Sequence, residues 1–233
     1  MSSKETKKKL KIRQSFLKFT ICRKDIKCII KALLRLSHTR REYYFSNLLF
    51  SKGIKVLKAK SFKERIFWLN LSYIGCVAYD YKDNFIVLSD FIKTQDSSVI
   101  RKLMFEVMDL ACAIHSLRIK HNDFSLTNII IENDKILLID YENMSKCLTT
   151  FAASKEIIRI LHDIYKFKQS YKENFQEVRL GEIFVYYLER MNFNRRKKDK
   201  LIRLTLNYFY RRYKRDILLH EFENLSSLTF LPS

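Results

Sequence analysis

His121-Asn-Asp-Phe-Ser-Leu-Thr-Asn128, then the apolar run 129–131, a polar break, and Ile136-Leu-Leu-Ile-Asp140-Tyr-Glu142 form the stretch that decides how this chain folds. An aspartate and an asparagine share one loop, and a second aspartate ends the following strand. The two apolar runs flank Asn133-Asp134, a hairpin signal. Upstream, Ile100, Leu103, Met104, Val107, Leu110, Ala111, Ile114 and Leu117 recur at i, i+3 and i+4. That period predicts an amphipathic helix over 98–117 that leads into the loop. A loop carboxylate, a loop amide and a strand-end carboxylate at this spacing suit phosphoryl transfer from a metal-bound nucleotide. Asp123 would accept the proton of an attacking hydroxyl, and Asn128 and Asp140 would hold magnesium against the phosphates. The competing reading is a β-hairpin whose Asp and Asn residues only cap turns. It leaves unexplained why Asp140 directly follows four strand residues.

The chain has 233 residues and is 47% hydrophobic. That is enough for a core in one domain or in two small lobes. Three glycines and one proline exclude low-complexity linkers and collagen-like repeats. No apolar run reaches the roughly 18–20 residues that span a bilayer. Residues 1–9 lack the apolar stretch of a secretory signal and read as disordered. Cysteines 22, 28, 76, 112 and 147 are odd in number and form no CxxC pair, which suits reduced cytosolic thiols and no zinc site.

Lys+Arg 45 against Asp+Glu 25 gives a net charge of +20. The excess is uneven: residues 1–41 hold 14 Lys/Arg against Glu5 and Asp25, and a second basic run covers 195–215. Such stripes suit an anionic partner, whether nucleic acid, an acidic membrane face or a phosphorylated glycolipid. Lysine decoration of solvated helix faces is the alternative explanation. Tyr208, Phe209, Tyr210 and Tyr213 interleave the second run; they suit either base stacking or a helix core.

Along the chain, 10–22 reads as one or two strands and 25–36 as a helix. A further helix follows over 38–51, with Tyr44, Leu48 and Leu49 on one face and Gly53 as its C-terminal cap. Residues 54–62, 67–81 and 85–88 read as strands, with a turn at Asp83-Asn84. Helices follow over 154–166, 176–191 and 196–215. The fold class is therefore α+β, with a strand-bearing part over 1–90 and a mainly helical part over 91–233.

Holding the phosphates of a nucleotide takes a strand lysine positioned by a helix glutamate. Glu42, in Ser37-His-Thr-Arg-Arg-Glu42, is the natural glutamate. Two lysines fit, Lys11 in Leu10-Lys-Ile-Arg13 and Lys18 in Phe16-Leu-Lys-Phe19, and Lys11 is the narrow preference. No Gly-rich loop precedes either, since the glycines are Gly53, Gly75 and Gly181. Ser89, Asp90 and Phe91, just after the strand at 85–88, would form a hinge whose backbone meets the adenine edge.

Together these segments resemble the protein-kinase-like superfamily. His121-x-Asp123-x-x-x-x-Asn128 is similar to its catalytic loop, in which the histidine braces the loop. Leu138-Ile139-Asp140-Tyr-Glu142 is similar to its metal-binding strand end. Asn122 stands where regulated protein kinases have arginine, and Tyr-Glu stands in place of Phe-Gly. Both departures point toward kinases of small molecules and glycolipids. Ser37-x-Thr39-Arg-Arg-Glu42, then Leu48-Leu49 and Lys52-Gly53-Ile54, resembles the bacterial lipopolysaccharide core (Kdo/heptose) kinase family over about residues 10–165.

The resemblance implies a two-lobed protein-kinase-like fold with a small, reduced N-terminal lobe and a mainly helical C-terminal lobe. It implies ATP and magnesium as cofactors and a sugar hydroxyl of a lipid A–core glycolipid as acceptor. The location it implies is cytoplasmic, peripheral at the inner face of the cytoplasmic membrane. Asp-Tyr-Glu is also similar to choline and aminoglycoside phosphotransferases, whose cationic acceptors a +20 protein disfavours. Length and basicity also resemble the small atypical kinase of the tRNA threonylcarbamoyl-adenosine machinery, which works with a protein–tRNA complex. A non-enzymatic pseudokinase adaptor, binding RNA or an anionic membrane, is the remaining alternative; the missing Gly-rich loop speaks for it.

Overall fold

In this computed structural model the described residues are 6–12, 15–23, 30, 33–34, 37–67, 72–80, 85–146, 148–213 and 220–222. Most of the helix expected over 25–36, and the turn expected at Asp83-Asn84, lie outside them. The chain divides into two compact units. One joins Met1–Phe85 to Ile130–Met144, and the other joins Ile86–Ile129 to Ser145–Ser233. The segment carrying Asp140 thus groups with the N-terminal strands.

In the first unit, β1 (Thr6–Ile12), β2 (Ser15–Arg23), β3 (Ala59–Phe67) and β4 (Ser72–Asp80) form an antiparallel sheet in the order β1-β2-β4-β3. Helix α1 (His38–Ser51) links β2 to β3 and packs on this sheet. The Ser37 hydroxyl caps its start by accepting from Arg40 N–H at 3.2 Å. Gly53, at φ 72°, lets the chain leave its end in the left-handed region. The approach to β4 is close, because a Cβ on Gly75 would lie 1.8 Å from Thr39 Oγ1.

That closeness decides which face of α1 is buried. Thr39, Glu42, Phe45, Ser46 and Leu49 face inward, whereas Tyr44 is 46% exposed. The face expected from Tyr44, Leu48 and Leu49 is therefore rotated. Small and polar groups permit the contact with Gly75, and Tyr73 Oη then donates to Thr39 Oγ1 at 2.8 Å.

The strand expected over 54–62 begins at Ala59 and runs to Phe67. Residues 54–57 are drawn instead to β8 (Lys135–Leu138), where Val56 forms a parallel bridge with Leu138. Leu138 N–H donates to Lys55 O at 3.0 Å and Leu57 N–H to Leu138 O at 3.2 Å. β7 (Ile129–Glu132) and β8 are neighbouring strands joined by Asn133 (φ 47°) and Asp134 (φ 58°). Two consecutive positive φ values mark the tight hairpin turn that Asn and Asp favour.

In the second unit, β5 (Phe85–Val87) leads in at the boundary, Leu88–Phe91 is a single helical turn, and the short β6 (Ile119–Lys120) precedes the loop. The strand expected over 85–88 thus stops one residue early. Helix α2 (Ser97–Ser116) packs on α4 (Leu180–Arg190), and α3 (Thr150–Ser170) packs on α5 (Arg195–Tyr213). Ile100, Met104, Val107, Met108 and Ile114 of α2 are all essentially buried, as the apolar period requires. Phe209 is fully buried and packs against Phe222, Tyr165 and Tyr213, while Tyr210 is 42% exposed. Of the four aromatics of the basic run, Phe209 is core, Tyr208 and Tyr213 are half-buried against it, and Tyr210 faces outward. Among the described residues, no helix is long and apolar enough to cross a membrane. The architecture is α+β.

Candidate functional site

Strand alternation puts Lys18 and Thr20 of β2 on the buried side, at 7% and 3% exposure, while Leu17 and Phe19 are only half-buried. β2 is an interior strand, so Lys18 is held between neighbours and lies across from Val77 of β4. Its Nζ donates to Asp140 Oδ1 at 2.7 Å and lies 3.2 Å from Glu142 Oε2 and 3.3 Å from Glu42 Oε1. Lys11 sits on the edge strand β1, opposite Phe16, and its side chain lies outside those described. Of the two candidate lysines, it is Lys18 that is found on Glu42.

The carboxylates are fixed from three directions. Glu42 is 2% exposed, on the inner face of α1, and Tyr79 Oη donates to its Oε1. Asp140 lies two residues after the end of β8, past Ile139, and adopts φ 68°, a left-handed conformation that an aspartate tolerates and that concentrates at functional sites. Glu142 is 1% exposed, so it is not the surface carboxylate that its place after Asp140 would also allow. Between them, Tyr141 is fully buried. Its Oη accepts from Leu57 N–H at 2.8 Å and donates to Leu138 O. The phenol thereby ties β8 to the segment before β3 and sets the backbone on either side of it.

Charge is unbalanced in this cluster. Burial alone would lower the Lys18 pKa, but Glu42, Asp140 and Glu142 together raise it well above the ordinary lysine value. The same crowding acts on the glutamate: burial raises the Glu42 pKa, Lys18 opposes this, and Asp140 and Glu142 add to it. Arg41 donates to Met144 O, and burial lowers its pKa against the pull of Glu142. Oxygen atoms of Glu42, Asp140 and Glu142 lie within 4.8 Å of one another. Glu42 Oε2 is buried with no hydrogen-bond partner. Three hard oxygen donors around one ammonium, one of them orphaned, suit a divalent cation such as magnesium.

The second unit holds the loop. Asp123 Oδ1 pairs with Arg159 of α3 at 2.5 Å. Asn128 Nδ2 donates to Asp123 O at 2.8 Å and to Asp123 Oδ2 at 3.2 Å. The amide nitrogen of Asn128, rather than its oxygen, thus meets Asp123. His121 is fully buried, and its Nδ1 accepts from Asp123 N–H at 3.3 Å, so it braces the loop. Asn122 sits at φ 65°, and its N–H donates to Glu156 Oε1. Glu156 Oε2 is 2.8 Å from His115 Nε2, and His115 Nδ1 is 2.7 Å from Tyr187 Oη. Burial would raise the Glu156 pKa, but the bonds from His115 and from the loop backbone lower it below the usual value.

Glu156 and Arg159 carry no motif and were not expected in the site. Glu156 leaves one trace in the sequence, a carboxylate on the apolar face that Ala153, Ile157 and Ile160 define. Ser89, Asp90 and Phe91 lie on the single turn Leu88–Phe91, whose Leu88 and Asp90 carbonyls accept from Ile92 N–H. Ser89 is 7% exposed, and Asp90 pairs with Lys93 at 2.6 Å near the surface.

No protein-family model matches this chain, and no curated protein matches it either. A solved structure of WaaP in complex with acyl carrier protein is similar, with a TM-score of 0.53 at 14% identity over 96% of this chain and 82% of that one. At that identity the likeness is one of fold alone.

Proposed function

We propose that this protein is an ATP-dependent phosphotransferase with an alcohol acceptor, and that the acceptor is a sugar hydroxyl of an anionic glycolipid of the lipopolysaccharide core type. The observation that carries the reading is Lys18 buried among Glu42, Asp140 and Glu142, in a chain whose fold is similar to that of the WaaP structure. Lys18, rather than Lys11, is assigned to the phosphates, and Glu42 positions it. Asp140 and Asn128 are assigned to magnesium, with Glu142 in support. When bound, the ion neutralises charge developing on the transferred phosphoryl group. Asp123 orients the acceptor hydroxyl and takes its proton, while Arg159 and Asn128 hold the Asp123 carboxylate in place. The backbone at Ser89, Asp90 and Phe91 is assigned to the adenine edge.

The net charge of +20 supports work at an anionic membrane surface, and so a peripheral, cytoplasmic-face location. Catalysis of this kind is mostly positioning and charge stabilisation. Asp140→Ala should therefore lose transfer from γ-labelled ATP to a lipopolysaccharide-type glycolipid by about a thousandfold or more, with its circular dichroism spectrum unchanged. Wild-type turnover in that folded variant would remove the reading.

A further inference from the structure

The phosphotransferase reading leaves a cavity of about 450 Å³ in the second unit without a role. That volume falls within the range of small-molecule sites. Its lining includes Lys120, Asn122, Phe151, Lys155 and Arg159. Asn122 precedes Asp123 in the chain, and Arg159 holds Asp123 Oδ1 at 2.5 Å. The cavity therefore opens beside the carboxylate assigned to the acceptor hydroxyl.

Its charge is one-sided. Lys120, Lys155 and Arg159 bring three cations, and Glu156 is the only acid in the lining. Both Glu156 oxygens are already engaged, Oε2 with His115 and Oε1 with Asn122 N–H. Among the described residues no carboxylate forms an ion pair with Lys120 or Lys155; Lys155 Nζ rests 4.4 Å from the Phe151 ring centroid. The cavity also takes in Thr149 and Ala152 at the start of α3, a 21-residue helix with no acid in its first turn. The partial positive charge of that helix end adds to the three side chains. A second cavity of about 600 Å³ shares Phe151 and Lys155 and continues to Arg211, Arg212 and Tyr208 of α5.

We propose that the first cavity is the acceptor site and that Lys120 and Lys155 bind a phosphate monoester already present on the acceptor. The inference rests on the phosphotransferase reading and deepens it, since it gives the acceptor a second functional group. In the reaction, the acceptor oxygen bonds to the γ-phosphorus of ATP. The bond from that phosphorus to the bridging oxygen breaks, its electron pair leaves with ADP, and the hydroxyl proton passes to Asp123. The bound ester fixes which hydroxyl is presented.

The test titrates inorganic phosphate into the full chain by calorimetry. Compared are the wild type, Lys120→Ala/Lys155→Ala, and Lys197→Ala/Lys200→Ala as a control pair on exposed positions of α5. Thermal melts confirm that each variant folds. The cavity pair should lose phosphate affinity at least tenfold, and the control pair should change less than twofold. Equal affinity in the two pairs, as a diffuse basic surface would give, overturns the proposal. Competition by glucose 1-phosphate or by phosphatidate vesicles distinguishes a soluble sugar phosphate from a lipid headgroup. Displacement by either supports the ester site, and displacement by neither overturns it. If the cavity pair loses phosphate binding while the wild type transfers nothing from ATP, the anion site stands and the phosphotransferase reading falls. If transfer is intact and binding is unchanged in the cavity pair, the reverse holds.

Discussion

In the first unit one ammonium, Lys18, is sunk among three carboxylates and is 7% exposed. In the second unit one carboxylate, Asp123, is a third exposed and meets one guanidinium and one amide. The first arrangement is over-supplied with negative charge and shielded from water; the second is nearly balanced and open. Burial makes each charge in the first strongly dependent on the others, whereas solvent screens the second. The two regions should therefore respond differently to the loss of one partner: the first in stability and function together, the second mainly in function.

The largest contrast is expected at Lys18. Lys18→Met leaves three carboxylates facing one another in a buried site, and should cost about 3–5 kcal/mol in urea denaturation at neutral pH. A cost near zero would mean that the cluster is better hydrated than its burial implies, and the contrast between the two regions would disappear.

Glu156 comes next, because it is a buried carboxylate in the second unit. Glu156→Gln should cost about 1–3 kcal/mol at neutral pH. Its folded pKa lies below its unfolded value. The stabilisation is therefore present above the unfolded value and is lost as pH falls through the folded one. Wild-type stability should decline below about pH 4.5, and the variant should show a shallower decline there. Parallel acid limbs in the two proteins would refute the role of Glu156 as an ionised anchor of the loop.

Arg159 gives the smallest stability effect and sharpens the comparison most. Its pair with Asp123 is half-exposed, so Arg159→Ala should change stability by less than about 1 kcal/mol. Transfer activity should nonetheless fall by about tenfold to a hundredfold, because the carboxylate loses its orientation. A large loss of stability with unchanged activity would reverse the roles assigned to the two regions.

The same contrast governs what could be read from sequence. The loop and hairpin were legible because their signals are local. Asp123, Asn128 and Asp140 are fixed by spacing, and the turn falls at Asn133-Asp134, as their chemistry favours. The Lys18 cluster is built from β2, α1 and the segment after β8, so strand order rather than neighbouring residues selects the lysine. Lys11 and Lys18 have the same kind of apolar flanks; one lies on an edge strand and the other on an interior strand. The face of α1 was misplaced because Gly75 and Thr39 set the approach, and small polar groups carry no hydrophobic period. The strand expected over 54–62 slipped toward Ala59 because Tyr141, more than 80 residues later, holds the segment before it. Glu156 and Arg159 reach the loop from α3, and nothing in the loop points to them.

The most direct measurement is calorimetric binding of ATP, with and without magnesium, to the wild type and to Asp140→Asn, a nearly isosteric change. If the cluster grips a metal–nucleotide complex, the wild type binds ATP only when magnesium is present, and Asp140→Asn loses that dependence together with at least tenfold in affinity. Equal binding by the two proteins with and without magnesium, or no binding by the folded wild type, would contradict it.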